Sequence, residues 1–90
     1  MHVLYYSALR TITGLSDEAW QGPESTVGAL CASLGKKYGS AFSGWLLAGE
    51  SSAPAAIILV NGRDARALGG LAAPLSPDDV IALFPPLAGG

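Results

Sequence analysis

One stretch, "STVGALCASLGKKYG" at residues 25–39, constrains the fold more than any other. Val27, Leu30, Cys31, Leu34 and Tyr38 recur at the i, i+3, i+4, i+7 and i+11 spacing that aligns one face of an α-helix. Ser25 or Thr26 can cap the amino end by accepting a hydrogen bond from the first turn. Lys36 and Lys37 fall in the last turn, where positive charge suits the helix dipole, and Gly39 is the stop. A helix with one apolar stripe must bury it against another layer, and the remaining segments read mainly as strands.

The opening "HVLYYSAL" is rich in strand formers and predicts a first strand over about residues 2–7. A second, weaker strand over Glu18–Gly22 would make a hairpin with it across "TITGLSD". After the helix, residues 40–55 read as a connection with a short helical turn around Trp45. "AAIILVNGRDAR" predicts a central strand entering an Asn61-Gly62 turn, since that dipeptide tolerates the positive φ of a tight hairpin. A short strand at Arg63–Ala67, an irregular "LGGLAAPL", a turn at "SPDD" and a last strand "VIALF" complete the order. The expected fold is α+β, a mixed sheet of about four to five strands with one main helix across it. Residues 1–90 are expected to form a single domain, with 85–90 as an extended tail. Period-2 alternation places Val3, Tyr5, Ile81 and Leu83 under the helix, and Tyr6 and Phe84 on the opposite face, at the base of that tail.

Charged residues make up 13% of the chain, against about 25% in an average soluble protein, so apolar patches are sparsely covered and a partner is expected. Net charge is -2 and the five basic residues form no stripe, which argues against nucleic acid. The longest apolar run, residues 53–60, is too short to span a bilayer, and no basic leader precedes the first strand; the expectation is a cytoplasmic protein away from membranes. One cysteine, Cys31, excludes an internal disulfide, and with a single histidine, His2, the chain offers no metal-ligand spacing.

The segment "LFPPLAGG" at residues 83–90 carries the chemistry. Pro85 and Pro86 have fixed φ and no N–H, so a sheet ladder ends at Phe84 and the chain leaves it stiff and extended. Leu87, Ala88, Gly89 and Gly90 reach a further roughly 13 to 14 Å, at about 3.3 to 3.6 Å per residue. That length carries a terminal carboxylate into a deep pocket while the folded body stays outside. Glycine has no Cβ to jam a narrow channel or shield the acyl carbon. An α-carboxylate, with an ordinary pKa of about 3.3 to 3.7, is ionised at neutral pH and can attack an activated phosphorus to give an acyl adenylate. The expected reactive group is the carboxylate of Gly90, with Gly89 beside it. Gly-Gly alone is a weak signal in a chain with 12 glycines; the conjunction of strand, Pro-Pro exit and Gly-Gly stop is the specific one.

Through "VLYYSALR", "TVGAL", "ILVNGRDAR", "LGGLAAPL" and above all "DDVIALFPPLAGG", nearly the whole chain resembles the ubiquitin-like sulfur carriers of β-grasp fold, the MoaD/ThiS type, and especially the small subunit of molybdopterin synthase. The resemblance implies that an ATP-dependent adenylating enzyme activates Gly90 and that a sulfur donor converts it to a thiocarboxylate. In the molybdopterin branch that sulfur passes to cyclic pyranopterin monophosphate on the large synthase subunit. Such a chain binds no cofactor and has no catalysis of its own; ATP is used by the activating partner. The resemblance also implies partner contacts at Tyr6 and Phe84, where the branch has exposed aromatics. We extend the expected interface to Pro85, Pro86, Leu87 and Ala88, and add Arg63 and Arg66, since arginine is enriched at interfaces. Carriers for cysteine or thiamine synthesis, and a protein modifier joined to lysines through Gly90, share the same tail.

Other residues read as structural. Gly28 and "GK" at Gly35-Lys36 suggest a phosphate loop, but six residues separate the two glycines instead of four, and Lys37 stands where Ser or Thr should bind magnesium. Cys31 lies among core-facing positions, where a free cysteine acts as a small hydrophobe. Asp78 and Asp79 follow Ser76-Pro77 as turn residues.

Overall fold

The computed structural model describes residues 1–46 and 56–85. Among the described residues there are five strands: β1 (His2–Tyr5), β2 (Asp17–Ala19), β3 (Ile57–Val60), β4 (Arg63–Asp64) and β5 (Val80–Phe84). They form one sheet in the order β2-β1-β5-β3-β4. β1 and β5 run parallel at the centre, and the other pairs are antiparallel. Among the described residues three α-helices accompany them, α1 (Ala8–Thr13), α2 (Val27–Tyr38) and α3 (Ser40–Leu46).

α2 forms where its apolar spacing requires. Thr26, in an extended conformation, accepts a hydrogen bond from the Ala29 N–H through its side chain, and of the two candidate caps it is the one used. Val27, Leu30, Cys31 and Leu34 are at most 1% exposed and meet the inner face of the sheet, Val3, Tyr5, Ile58, Val60, Ile81 and Leu83, in one core. Each fully buried Leu, Ile or Val contributes about 1.5–3 kcal/mol, which outweighs the modest helix propensity of a segment with two internal glycines.

Several local expectations are corrected. The first strand ends at Tyr5, short of residue 7, because Ser7 takes a left-handed φ of 52° and turns the chain into α1. The hairpin expected across "TITGLSD" holds in its pairing, with β1 antiparallel to β2, but its connection carries that helix, anchored by fully buried Leu9 and ended by Gly14 in the αL conformation. The second strand occupies Asp17–Ala19, not Glu18–Gly22. The strand expected at Arg63–Ala67 stops at Asp64, whose side chain accepts from the Arg66 N–H and opens a 3₁₀ turn over Ala65–Leu68. "LGGLAAPL", read as irregular, contains that turn's end and a second 3₁₀ turn at Gly70–Ala72. α3 exceeds the single turn expected near Trp45 and buries Phe42 against Tyr5 and Tyr38; the rest of that connection, 47–55, lies outside the described residues.

The β3–β4 hairpin turns at Asn61 (φ 52°) and Gly62 (φ 82°), the two positive angles that the dipeptide was expected to supply. Asp79 stitches this hairpin to the turn before β5. Its carboxylate accepts from the Ser76 N–H at 2.8 Å and from the Asn61 side-chain amide at 2.8 Å, and Asn61 accepts from the Val80 N–H at 2.9 Å. Asp79 is thus structural, as its place after Ser76-Pro77 suggested.

Candidate functional site

Parallel pairing of β1 with β5 sets Leu4 beside Ala82, and antiparallel pairing of β3 with β5 sets Leu59 on the other side of Ala82. One pleat further along, Ile57 pairs with Phe84, and the Tyr6 ring lies on the Phe84 ring with centroids 4.2 Å apart and planes 10° apart. These six residues point away from the helix layer, because their neighbours Val3, Tyr5, Ile58, Val60, Ile81 and Leu83 point into it. All six are half-buried, and Val80, beside His2, is 41% exposed. Among the described residues no element covers this face. The result is an apolar surface two rows deep that ends at the last ladder residue, Phe84.

The expected separation of faces therefore holds: Val3, Tyr5, Ile81 and Leu83 are 0% exposed, and Tyr6 and Phe84 sit opposite them. Pro85 follows Phe84 and is half-buried. Pro86, Leu87, Ala88, Gly89 and Gly90, which carry the expected chemistry, lie outside the described residues.

Arg63 and Arg66 do not join this site. β4 is the edge strand, and Arg63 pairs with Val60, three residues along β3 from the partner of Phe84. Arg66 folds back on Asp64, with its guanidinium 2.8 Å from the carboxylate, which holds that carboxyl below its usual range. Arg63 is exposed and makes no ion pair among the described residues. A different arginine takes the place beside the aromatics. Arg10, on α1, puts its guanidinium 5.8 Å from the centre of the Tyr6 ring, and its Nε donates to the Tyr5 carbonyl. Sequence reasoning missed Arg10 because the helix that positions it was missed. It missed Ile57 and Leu59 because the four residues of β3 are all apolar and show no alternation.

On the helix side, Glu18 of β2 gathers a polar cluster. The Tyr5 and Tyr38 hydroxyls both donate to one carboxylate oxygen, and Lys37 Nζ lies 2.8 Å from the other. Burial alone would raise the Glu18 pKa, but hydrogen bonds from Lys37, Tyr38 and Tyr5 outweigh it and hold the carboxyl below the usual range. Burial, reinforced by Glu18, pushes the Tyr5 hydroxyl up. Lys37 also lies 5.3 Å from the centres of the Trp20 and Tyr38 rings.

The rival sites stay structural. Burial pushes the Cys31 thiol up to about 12, which removes its thiolate at neutral pH. A Cβ on Gly28 would stand 3.0 Å from the Leu71 carbonyl, so this glycine serves helix packing, not a phosphate. His2, without a neighbour in sequence, meets Asp17 at 3.0 Å across the β1–β2 pair. A cleft of about 590 Å³ between Met1, Trp20, Pro23, Leu75 and Pro77 lies at the end of β1 opposite Tyr6. Among the described residues no group of three His, Cys, Asp or Glu could hold a metal, and no helix is long and apolar enough to cross a membrane.

Residues 3–90 match the family model of the ThiS family. Small archaeal modifier protein 3 of Haloferax volcanii is 30% identical over 91 residues, covering 100% of this chain and 98% of that protein. A solved BexX/CysO complex of Amycolatopsis orientalis contains a chain that superposes with a TM-score of 0.79 at 27% identity, over 99% of this chain and 98% of that one. A Pyrococcus furiosus protein described as "putative molybdopterin converting factor, subunit 1" superposes with a TM-score of 0.72 at 26% identity, over 96% of this chain and 95% of that one.

Proposed function

The chain belongs to the ThiS family of ubiquitin-like sulfur carriers and modifiers with the β-grasp fold, and from that premise we propose that Gly90 is its reactive residue. An adenylating enzyme joins the Gly90 carboxylate to AMP at the expense of ATP. A sulfur donor then displaces AMP, and the resulting thiocarboxylate passes its sulfur to cyclic pyranopterin monophosphate on a large synthase subunit, in the making of the molybdenum or tungsten cofactor. The observation that carries the proposal is the uncovered apolar face that ends at Phe84, with the family match continuing from there through Gly89 and Gly90. Partners that must reach the tail find, at its base, a surface that gains from being covered.

The chemistry divides the labour. The folded body supplies docking through Leu4, Tyr6, Ile57, Leu59, Ala82 and Phe84, and the tail supplies the acyl group. Because one surface serves, the adenylating enzyme and the synthase subunit bind in turn, each releasing the carrier after its step. A carrier for cysteine synthesis is the nearest alternative within this chemistry. A modifier joined to lysines is favoured by the relative in Haloferax volcanii.

One experiment separates these. The thiocarboxylate form is offered the large synthase subunit with cyclic pyranopterin monophosphate, an activated serine derivative with its synthase, or cell extract. Dithiolene formation with return of the carboxylate supports the proposal. Transfer to the serine derivative alone replaces it with the cysteine pathway, and attachment to lysines without sulfur transfer makes the chain a modifier. No lysine or arginine follows Arg66, so trypsin leaves residues 67–90 as the branch on such a lysine.

A further inference from the structure

The cleft of about 590 Å³ at the far end of β1 is apolar along much of its wall, where Pro23, Leu75 and Pro77 line it, and it holds one carboxylate, that of Glu24. The two oxygens of Glu24 accept from different neutral donors, the Trp20 indole N–H at 2.7 Å and the Ser33 hydroxyl at 2.8 Å. These hydrogen bonds, that from Trp20 foremost, hold the carboxyl below its usual range, so it is ionised at neutral pH. Among the described residues no cation pairs with it: Lys37 is taken by Glu18, and the Met1 ammonium donates to the Trp20 carbonyl. The chain is shaped around this carboxylate. A Cβ on Gly22 would stand 1.9 Å from Glu24 Oε1 and 2.9 Å from Trp20 Nε1, so glycine is what leaves the pair in place.

We propose that this cleft seats an arginine side chain of a partner protein. A planar guanidinium fork can donate to both oxygens of a carboxylate and stack on an aromatic ring, so it suits Glu24 with Trp20 beside it better than an ammonium does. The aliphatic stem and flanking residues suit the apolar remainder of the cleft, whose size is within the roughly 300 to 1,000 Å³ of ligand sites. Place in the fold gives the consequence. β1 and β5 run parallel, so Met1 and Pro77 lie where both strands begin, whereas the chain leaves the sheet where β5 ends. A partner held at the cleft therefore leaves the face around Phe84 open to another. The proposal does not depend on the chemistry of Gly90.

The test follows the Trp20 indole N–H of the full chain by heteronuclear NMR as N-acetylarginine amide is added, with Trp45→Phe assigning the resonance. A saturating shift is expected with a midpoint at roughly 1 mM, the affinity of a ligand of this size, while the Tyr6 and Phe84 amides stay unmoved. The citrulline analogue, of the same shape without the charge, should bind about tenfold more weakly, and the lysine analogue several-fold more weakly. Agmatine, a guanidinium without peptide flanks, should also bind more weakly. Glu24→Gln should lower affinity about tenfold. Gly22→Ala keeps the charge but pushes the carboxylate aside, and should lower affinity several-fold with little change in the urea midpoint. The proposal is overturned if Trp20 does not shift by about 10 mM ligand, or if the shifts fall on Tyr6 and Phe84 instead. It is also overturned if the citrulline or lysine analogue binds equally, if a folded Glu24→Gln binds undiminished, or if agmatine matches the amide, which would make the ligand a small amine.

Discussion

Replacing Phe84 with alanine distinguishes a docking residue from a core residue, because the structure gives different magnitudes for the two. The Phe84 backbone pairs with Ile57 in the ladder, and truncation leaves that pairing intact. What is lost is the stack on Tyr6, at 4.2 Å and 10°, together with the covered part of a half-buried ring. The stack is worth about 0.5–1.5 kcal/mol, and with the lost burial the cost to stability comes to about 1–2 kcal/mol. Leu83, one residue earlier and 0% exposed, sets the contrast, since Leu83→Ala should cost about 2–5 kcal/mol. Binding should reverse this order. An aromatic that anchors a docking face costs about 2 kcal/mol or more on truncation, about 30-fold in affinity. Urea unfolding of the two variants gives the first comparison, and calorimetric titration into the adenylating enzyme gives the second. If Phe84→Ala loses as much stability as Leu83→Ala and binds normally, Phe84 is a core residue and the docking face is wrongly placed.

Three further outcomes follow from the same structure. Thr26→Ala removes the side-chain cap of α2 and should cost about 1 kcal/mol in urea unfolding, while Ser25→Ala should change little. Cys31 should resist alkylation at neutral pH in the folded protein and react once denatured, since burial removes both access and thiolate; rapid labelling of the native state would reopen a sulfur-relay role. Glu18 is held below its ordinary pKa of 4.5, so its contribution is fully present above that value and is lost as pH falls through the lower folded value; Glu18→Gln should flatten the acid limb of thermal unfolding below about pH 4.5.

The main helix was legible because several signals agree in one stretch: a cap, an apolar stripe of fixed period, basic residues in the last turn and a stop glycine. The Asn61-Gly62 hairpin was legible for a similar reason, since its two residues tolerate the angles observed. α1 was not legible. Six residues are too few to show a helical period, and they hold a helix because Leu9 has a core to enter, one that is assembled by distant strands. Without α1, Arg10 could not be placed over Tyr6. The alternation in β1 and β5 gave the two faces, whereas the uniform "IILV" of β3 concealed that Ile57 and Leu59 extend the outer one. Arg63 and Arg66 looked like partner residues by type alone, and only the sheet order shows Arg63 on an edge strand, with Arg66 in the 3₁₀ turn that follows it, away from Phe84.

The claim on which the function depends is that the carboxylate of Gly90 is the reactive group. Incubating the full chain with its adenylating enzyme, ATP and a sulfur source, and then measuring its intact mass, tests that claim most directly. The account predicts a gain equal to the difference between sulfur and oxygen, placed on Gly90 by fragmentation and absent from a chain lacking Gly90 or extended beyond it, with the fold unchanged in both. A chain that keeps full sulfur-transfer activity with its carboxyl end blocked, or that gains sulfur at Cys31, would contradict it.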